Sequence, residues 1–207
     1  MENKKILIVE YAPRNERSKT LELANYAKSL LLKKGKVEIL DLNKDIPEFF
    51  NSENLTAYYM RNYMGEKLSD KDTKLLSKFD KFTKQFVDSD IVIVAYPMYN
   101  FSMPASVKAY FDMILLKGKT WDMNASGYVQ LCKGKKLVLI STSGGVYSEE
   151  FKTLAMEHSE SYMKILSGFI GAEFNSVFVQ GINMNPQKQD ELIADGKKKI
   201  EKIVSKI

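Results

Sequence analysis

Short aliphatic runs alternate along the chain with longer stretches whose apolar residues recur at helical spacing. That alternation is the signature of a parallel sheet covered on both faces. The runs Ile6-Leu7-Ile8-Val9, Ile91-Val92-Ile93-Val94-Ala95 and Leu137-Val138-Leu139-Ile140 predict strands over Lys5–Val9, Ile91–Ala95 and Lys136–Ser141. Weaker patterns add strands at Lys36–Leu40 and Asn175–Val179. Leu23, Ala24, Ala27, Leu30 and Leu31 mark a helix near Thr20–Lys33. Leu75, Leu76, Phe79, Phe82 and Phe86 mark another near Asp70–Phe86, with Ser69 as its cap. A third helix begins at Pro104 and runs to about Leu116, a fourth covers Glu149 to Leu166, and a fifth runs from Gln187 to the end. Strands and helices in this order give an α/β, doubly wound fold.

Two stretches break the rhythm. Residues 43–69 are rich in aromatic and sulfur side chains, among them Phe49, Phe50, Tyr58, Tyr59 and Tyr63, and residues 117–135 form a long connection containing Trp121. Connections of this length are functional or cover something. Two readings stay open: extra helical turns packed on their own domain, or an interface or pocket wall. No repeat, low-complexity tract or linker appears, so the chain reads as one domain, 1–207, with insertions near 43–69 and 117–135.

Composition narrows the function classes. The 31 Lys and Arg exceed the 26 Asp and Glu only mildly, giving +5, and the Lys197–Lys199 run lies opposite an apolar helical stripe, so it reads as a solvated face. No nucleic-acid partner is expected. No aliphatic run approaches the roughly 20 residues of a membrane span, so no membrane partner is expected either. The single Cys132 excludes an internal disulfide framework and fits a reducing, cytoplasmic setting, and one His158 beside it is too little for a His/Cys zinc site. His158 falls on the stripe of Phe151, Leu154, Ala155, Tyr162 and Ile165 in the fourth predicted helix, which reads as a core histidine.

Ligands of open parallel sheets bind beyond the carboxyl ends of the strands, which singles out three loops. The first, Glu10 to Thr20, lacks both the GxGxxG and the GxxxxGK[ST] fingerprints but sets Ser18 and Thr20 at a helix start, with Arg14 and Arg17 nearby. A helix start suits a phosphate monoester; an ordinary Ser/Thr cap is the alternative. The second, Tyr96-Pro97-Met98-Tyr99-Asn100-Phe101-Ser102-Met103-Pro104, offers a flat apolar wall with a few polar atoms. The third, Ser141-Thr142-Ser143-Gly144-Gly145-Val146-Tyr147, brings glycine backbone and hydroxyls close to a ligand. Phosphate hydrogen bonds contribute roughly 1.5–3 kcal/mol each, whereas association costs about 4–15 kcal/mol. The first loop alone holds a phosphate only loosely. A ligand with a phosphate at one end and a large planar ring at the other uses all three loops, and flavin mononucleotide (FMN) fits that description.

The Pro97–Phe101 run, its continuation Ser102-Met103-Pro104 through Lys108-Ala109-Tyr110-Phe111-Asp112, the Gly118–Trp121 segment, the Thr142–Gly145 loop and the Tyr162 to Gly171 stretch together resemble the FMN-dependent NADH azoreductase/quinone reductase family. The resemblance spans essentially the whole chain. It implies a flavodoxin-like three-layer fold with a five-stranded parallel sheet in the order 2-1-3-4-5. It implies FMN held through its phosphate by Ser18, Lys19 and Thr20, and through its ring by Met98, Tyr99, Asn100 and Phe101 and by Thr142, Ser143, Gly144 and Gly145. It also implies substrate walls at Trp121 and Phe169, a homodimer with sites at the subunit interface, NADH or NADPH as cosubstrate, and a quinone or azo compound as acceptor. Two positions depart from the family's pattern: Ala12 stands where a serine is expected, and Ser143 where an arginine is often found. A flavodoxin-type electron carrier is the alternative, although such carriers are more acidic and shorter. A receiver-type signalling domain and a nucleotide hydrolase lack their aspartates and phosphate loop here.

Overall fold

The computed structural model describes residues 4–150, 152–184 and 186–207. Five strands, β1 (Lys4–Glu10), β2 (Gly35–Asp41), β3 (Ile91–Pro97), β6 (Lys136–Thr142) and β7 (Glu173–Val179), form a parallel sheet in the order β2-β1-β3-β6-β7. In sequence terms this is the expected 2-1-3-4-5 order of a flavodoxin-like fold, with β6 and β7 as fourth and fifth strands.

Alternate residues of the central strands feed two separate cores. Leu7, Val9, Val92, Val94, Leu137 and Leu139 face one side, where α4 (Ser77–Asp88), α5 (Ala105–Ile114) and α6 (Glu160–Ile170) pack. Ile6, Ile8, Ile91, Ile93, Val138 and Ile140 face the other, under α1 (Lys19–Leu31) and α7 (Gln189–Val204). The helices bury matching stripes: Phe79, Phe82 and Phe86 on α4, and Ile193, Ile200 and Val204 on α7. A fully buried phenylalanine contributes roughly 1.5–3 kcal/mol, so the α4 face alone fixes that layer firmly. On α7, Lys197 pairs with Glu22 and Lys198 with Asp195, leaving the lysine run on the outer side.

Three expectations need correction. The helix foreseen over residues 70–86 is two, α3 (Asp70–Leu75) and α4, because the fully buried Leu76 leaves the helical region with φ −98° and ψ 1°. Ser69 caps the first of them, accepting from Asp72 N at 3.1 Å. The helix foreseen from Glu149 starts only at Glu160. There the Glu157 carboxylate accepts from the amides of Ser159, Glu160 and Ser161 at 2.5, 2.6 and 3.2 Å, a cap that begins a new helix. His158 therefore lies before the helix and is exposed rather than in the core; Phe151, named for the same stripe, lies outside the described residues. Finally, the two insertions differ. Residues 43–69 supply α2 (Ser52–Asn62), closed by a capping box between Asn51 and Asn54. Residues 117–135 supply no helix but an antiparallel hairpin, β4 (Trp121–Asn124) with β5 (Gly127–Gln130).

Candidate functional site

All three predicted loops meet at the carboxyl edge of the sheet. They line a cleft of about 250 Å³ with Pro13, Arg14, Arg17, Ser18, Lys19 and Thr20 from the first loop, Pro97, Met98 and Tyr99 from the second, and Thr142, Ser143 and Gly144 from the third. Asn100, Phe101 and Gly145 follow directly in the same loops.

The first loop turns through a single 3-10 turn, Asn15–Arg17, into α1. Ser18 is the N-cap: its Oγ accepts from Leu21 N at 3.2 Å and its carbonyl from Glu22 N at 3.0 Å. The Lys19 and Thr20 amides are thereby left as the helix's open donors. Thr20 Oγ1 lies 2.6 Å from Thr142 Oγ1, both groups buried, and this hydroxyl pair fixes the helix start against the third loop. Arg14 and Arg17 are exposed at the mouth. Lys19 is tied to Glu22 at 3.1 Å, and Glu22 also receives Lys197 at 2.7 Å, which holds its carboxyl below the ordinary carboxylate range, the Lys197 bond being the largest cause. The mouth is electropositive, as an anion requires.

The second loop is a tight hairpin turn. Tyr99 and Ser102 exchange two backbone bonds, Tyr99 N to Ser102 O at 2.9 Å and Ser102 N to Tyr99 O at 3.0 Å. Asn100 and Phe101 between them both take left-handed backbone, φ 46° and 71°. Two successive positive φ values fit a two-residue turn of the primed class, costly for a phenylalanine and sustained by surrounding contacts. Those contacts come from the segment before α6: His158 N donates to Phe101 O at 2.8 Å, and Ser102 Oγ donates to His158 O at 3.2 Å. Phe101 meets Tyr147 edge-on at 6.1 Å and Tyr99 meets Tyr11 edge-on at 6.3 Å. Burial, reinforced by Tyr11 and opposed by Arg14, raises the Tyr99 phenol's pKa above its ordinary value.

The third loop is oriented by the segment after β7. The carbonyls of Ser143, Gly144 and Gly145 accept from Ile182 N, Asn183 N and Gly181 N at 3.0, 3.1 and 2.9 Å, and Ser143 N donates to Val179 O. With its carbonyls turned that way, the Gly144, Gly145 and Val146 amides have no protein acceptor among the described residues. Gly144 lets the Asn183 side chain lie close: a Cβ there would stand 2.6 Å from Asn183 Nδ2. Of these three residues Gly144 lines the cleft beside the α1 start, where open amides favour a negative ligand.

Trp121 and Phe169 do not join this cleft within one chain. They pack on each other at 5.3 Å and on Tyr128 at 5.6 and 5.4 Å, with Trp121 Nε1 donating to Leu115 O. Trp121 follows the end of α5 and Phe169 sits in the last turn of α6, helices that return to the strands' starting edge. Sequence reasoning missed Ile182, Asn183 and Gln189, which complete the cleft from the segment after β7. Their signal was positional: they too follow a strand's carboxyl end.

Outside the site, Cys132 is buried, and burial raises its thiol pKa. Among the described residues no His/Cys/Asp/Glu group is arranged to hold a metal ion, and no helix is long and apolar enough to cross a membrane.

A family model described as a flavodoxin-like fold matches residues 4–204. Among curated relatives, an FMN-dependent NADH:quinone oxidoreductase of Haemophilus influenzae is 30% identical over 201 residues, covering 97% of this chain and 97% of its own length. One from Azospirillum brasilense is 28% identical over 201 residues, covering 95% and 96%. Among solved structures, an azoreductase from Bacillus anthracis superposes with a TM-score of 0.90 at 27% identity, covering 99% of this chain and 100% of that one.

Proposed function

The chain belongs to the flavodoxin-like family of FMN-dependent NADH:quinone oxidoreductases, and from that membership we propose that it binds FMN in the carboxyl-edge cleft and uses NADH or NADPH to reduce quinones and azo compounds by two electrons. The observation that carries this reading is the convergence of an open helix start, an aromatic turn and a glycine loop on one cleft. The donor set fits the group: a phosphate has the Lys19 and Thr20 amides and the two mouth arginines, and a flat ring has the Met98–Phe101 and Gly144–Gly145 backbone beneath one face.

FMN bound there would supply the two-electron hydride chemistry between a nicotinamide donor and the acceptor. Ser18 sets the α1 amides toward the phosphate, and the Thr20–Thr142 pair keeps that anchor in register with the ring site. The Gly144–Val146 amides, left free by the carbonyl bonds behind them, would stabilise negative charge on a reduced ring. The Asn100–Phe101 turn holds an aromatic edge at the rim, leaving one face of the ring for donor and acceptor in turn.

The same reading includes a homodimer working in the cytoplasm, with the full chain as one domain. The Trp121–Tyr128–Phe169 cluster supports the dimer. It is a half-exposed apolar wall of edge-on and tilted rings outside its own chain's cleft, and a second chain's cleft lacks such a wall.

Steady-state kinetics with NADH and a quinone test the whole. One slot shared by donor and acceptor gives parallel double-reciprocal lines, and anaerobic NADH alone bleaches the bound flavin. Intersecting lines would overturn the shared slot, and lack of FMN uptake by the purified chain would overturn the function.

A further inference from the structure

The segment after β7 does more than brace the glycine loop. Asn183 is exposed, and its carboxamide has no hydrogen-bond partner among the described residues. It nevertheless stands at a defined place, against the α-carbon of Gly144, because its own backbone amide is bonded to the Gly144 carbonyl. Gln189, in the first turn of α7, lines the same cleft; its Nε2 makes a 3.4 Å contact with Ile182 O, leaving Oε1 open.

Both amides lie on one particular side. α1 and α7 cover the same face of the sheet and are joined by Lys197, which bonds Glu22 and lies over the Tyr26 ring at 5.7 Å. Their N-termini therefore open on the same side of the cleft. The loops after β3 and β6 lead instead to α5 and α6 on the opposite face. A phosphate at the α1 start and a ring over the 98–101 and 144–146 backbone leave the connecting polyol to pass between them, beside Asn183 and Gln189. Each polyol hydroxyl both donates and accepts, and a carboxamide answers with both functions.

We propose that Asn183, assisted by Gln189, hydrogen-bonds the ribityl hydroxyls of FMN and so selects a polyol-linked flavin phosphate. The proposal rests on the FMN reading above. Its test uses the purified full chain stripped of flavin, titrated with FMN and with an isoalloxazine phosphate whose ribityl chain is replaced by an unsubstituted pentyl chain. Binding is read by calorimetry and flavin fluorescence. Uptake of either ligand by the unsubstituted chain secures the flavin site first, independently of Asn183. Asn183→Ala then lowers FMN affinity about tenfold, the worth of one good hydrogen bond, and leaves affinity for the pentyl analogue unchanged. Gln189→Ala gives a smaller loss with the same selectivity. An equal loss for both ligands, or no loss for FMN, would overturn the proposal, as would an unsubstituted chain that binds the pentyl analogue as tightly as FMN.

Discussion

Three buried phenols show how differently the same group can be accommodated. Tyr58 OH accepts from Lys117 N at 2.9 Å, with burial pushing its pKa up to about 12, and Tyr96 OH accepts from Ser159 Oγ at 3.2 Å. Tyr110 OH is fully buried without a partner among the described residues, and burial alone drives its pKa far upward. An unsatisfied buried hydroxyl costs about 1–3 kcal/mol. Tyr110→Phe is therefore expected to raise the melting temperature, by roughly 2–4 °C for each kcal/mol recovered, whereas Tyr58→Phe lowers it; differential scanning calorimetry of the two variants reads the contrast directly. A second residue-scale effect depends on pH. Glu10 lies at the end of β1, opposite Asp41 in the sheet register. Burial first, then the Asp41 charge, raises its pKa above the ordinary 4.5. A carboxyl that is a weaker acid in the folded chain favours folding most below about pH 4.5, and that benefit is lost as pH rises through its raised value. Glu10→Gln should accordingly stabilise the chain at neutral pH and give no gain near pH 3, which melting curves at the two pH values will show.

Among the elements, caps decide what periodicity leaves open. Replacing Glu157 by alanine strips acceptors from three amides at once and should cost about 1–2 kcal/mol, measured by urea unfolding. Because the same segment carries the His158 bonds to the Asn100–Phe101 turn, FMN affinity should fall with it. The five sheet strands were legible because the central ones are unbroken aliphatic runs, a pattern that only a sheet buried on both faces tolerates. The break at Leu76 was not legible, since a buried leucine in a kink continues the same apolar stripe. Nor was the hairpin: Trp-Asp-Met-Asn and Gly-Tyr-Val-Gln are too short to show a period of two. In the site, Ser18, Thr20, Met98 and the glycines carried a chemical signature. Asn183 and Gln189 carried none, because a polar residue in a surface loop looks the same whether or not a fold aims it at a cleft.

Over the whole molecule, the two ends of the sheet have different tasks. The carboxyl edge gathers backbone donors around a cleft, and the opposite edge carries the aromatic cluster built on the hairpin and α6. The proposed homodimer should bury Tyr128, which is 68% exposed in the single chain. A Tyr128→Arg variant is expected to sediment as a monomer and to lose turnover more than FMN affinity, because it leaves the phosphate and ring donors of its own chain untouched.

Trp121 is the one indole in the sequence. Its emission overlaps the absorption of an oxidised flavin, and its own chain's cleft is at the far rim of the sheet. In the proposed homodimer, dimming of that indole on loading with cofactor would serve as an internal ruler for the gap between subunits, and brightening on dilution would time their separation without any attached dye.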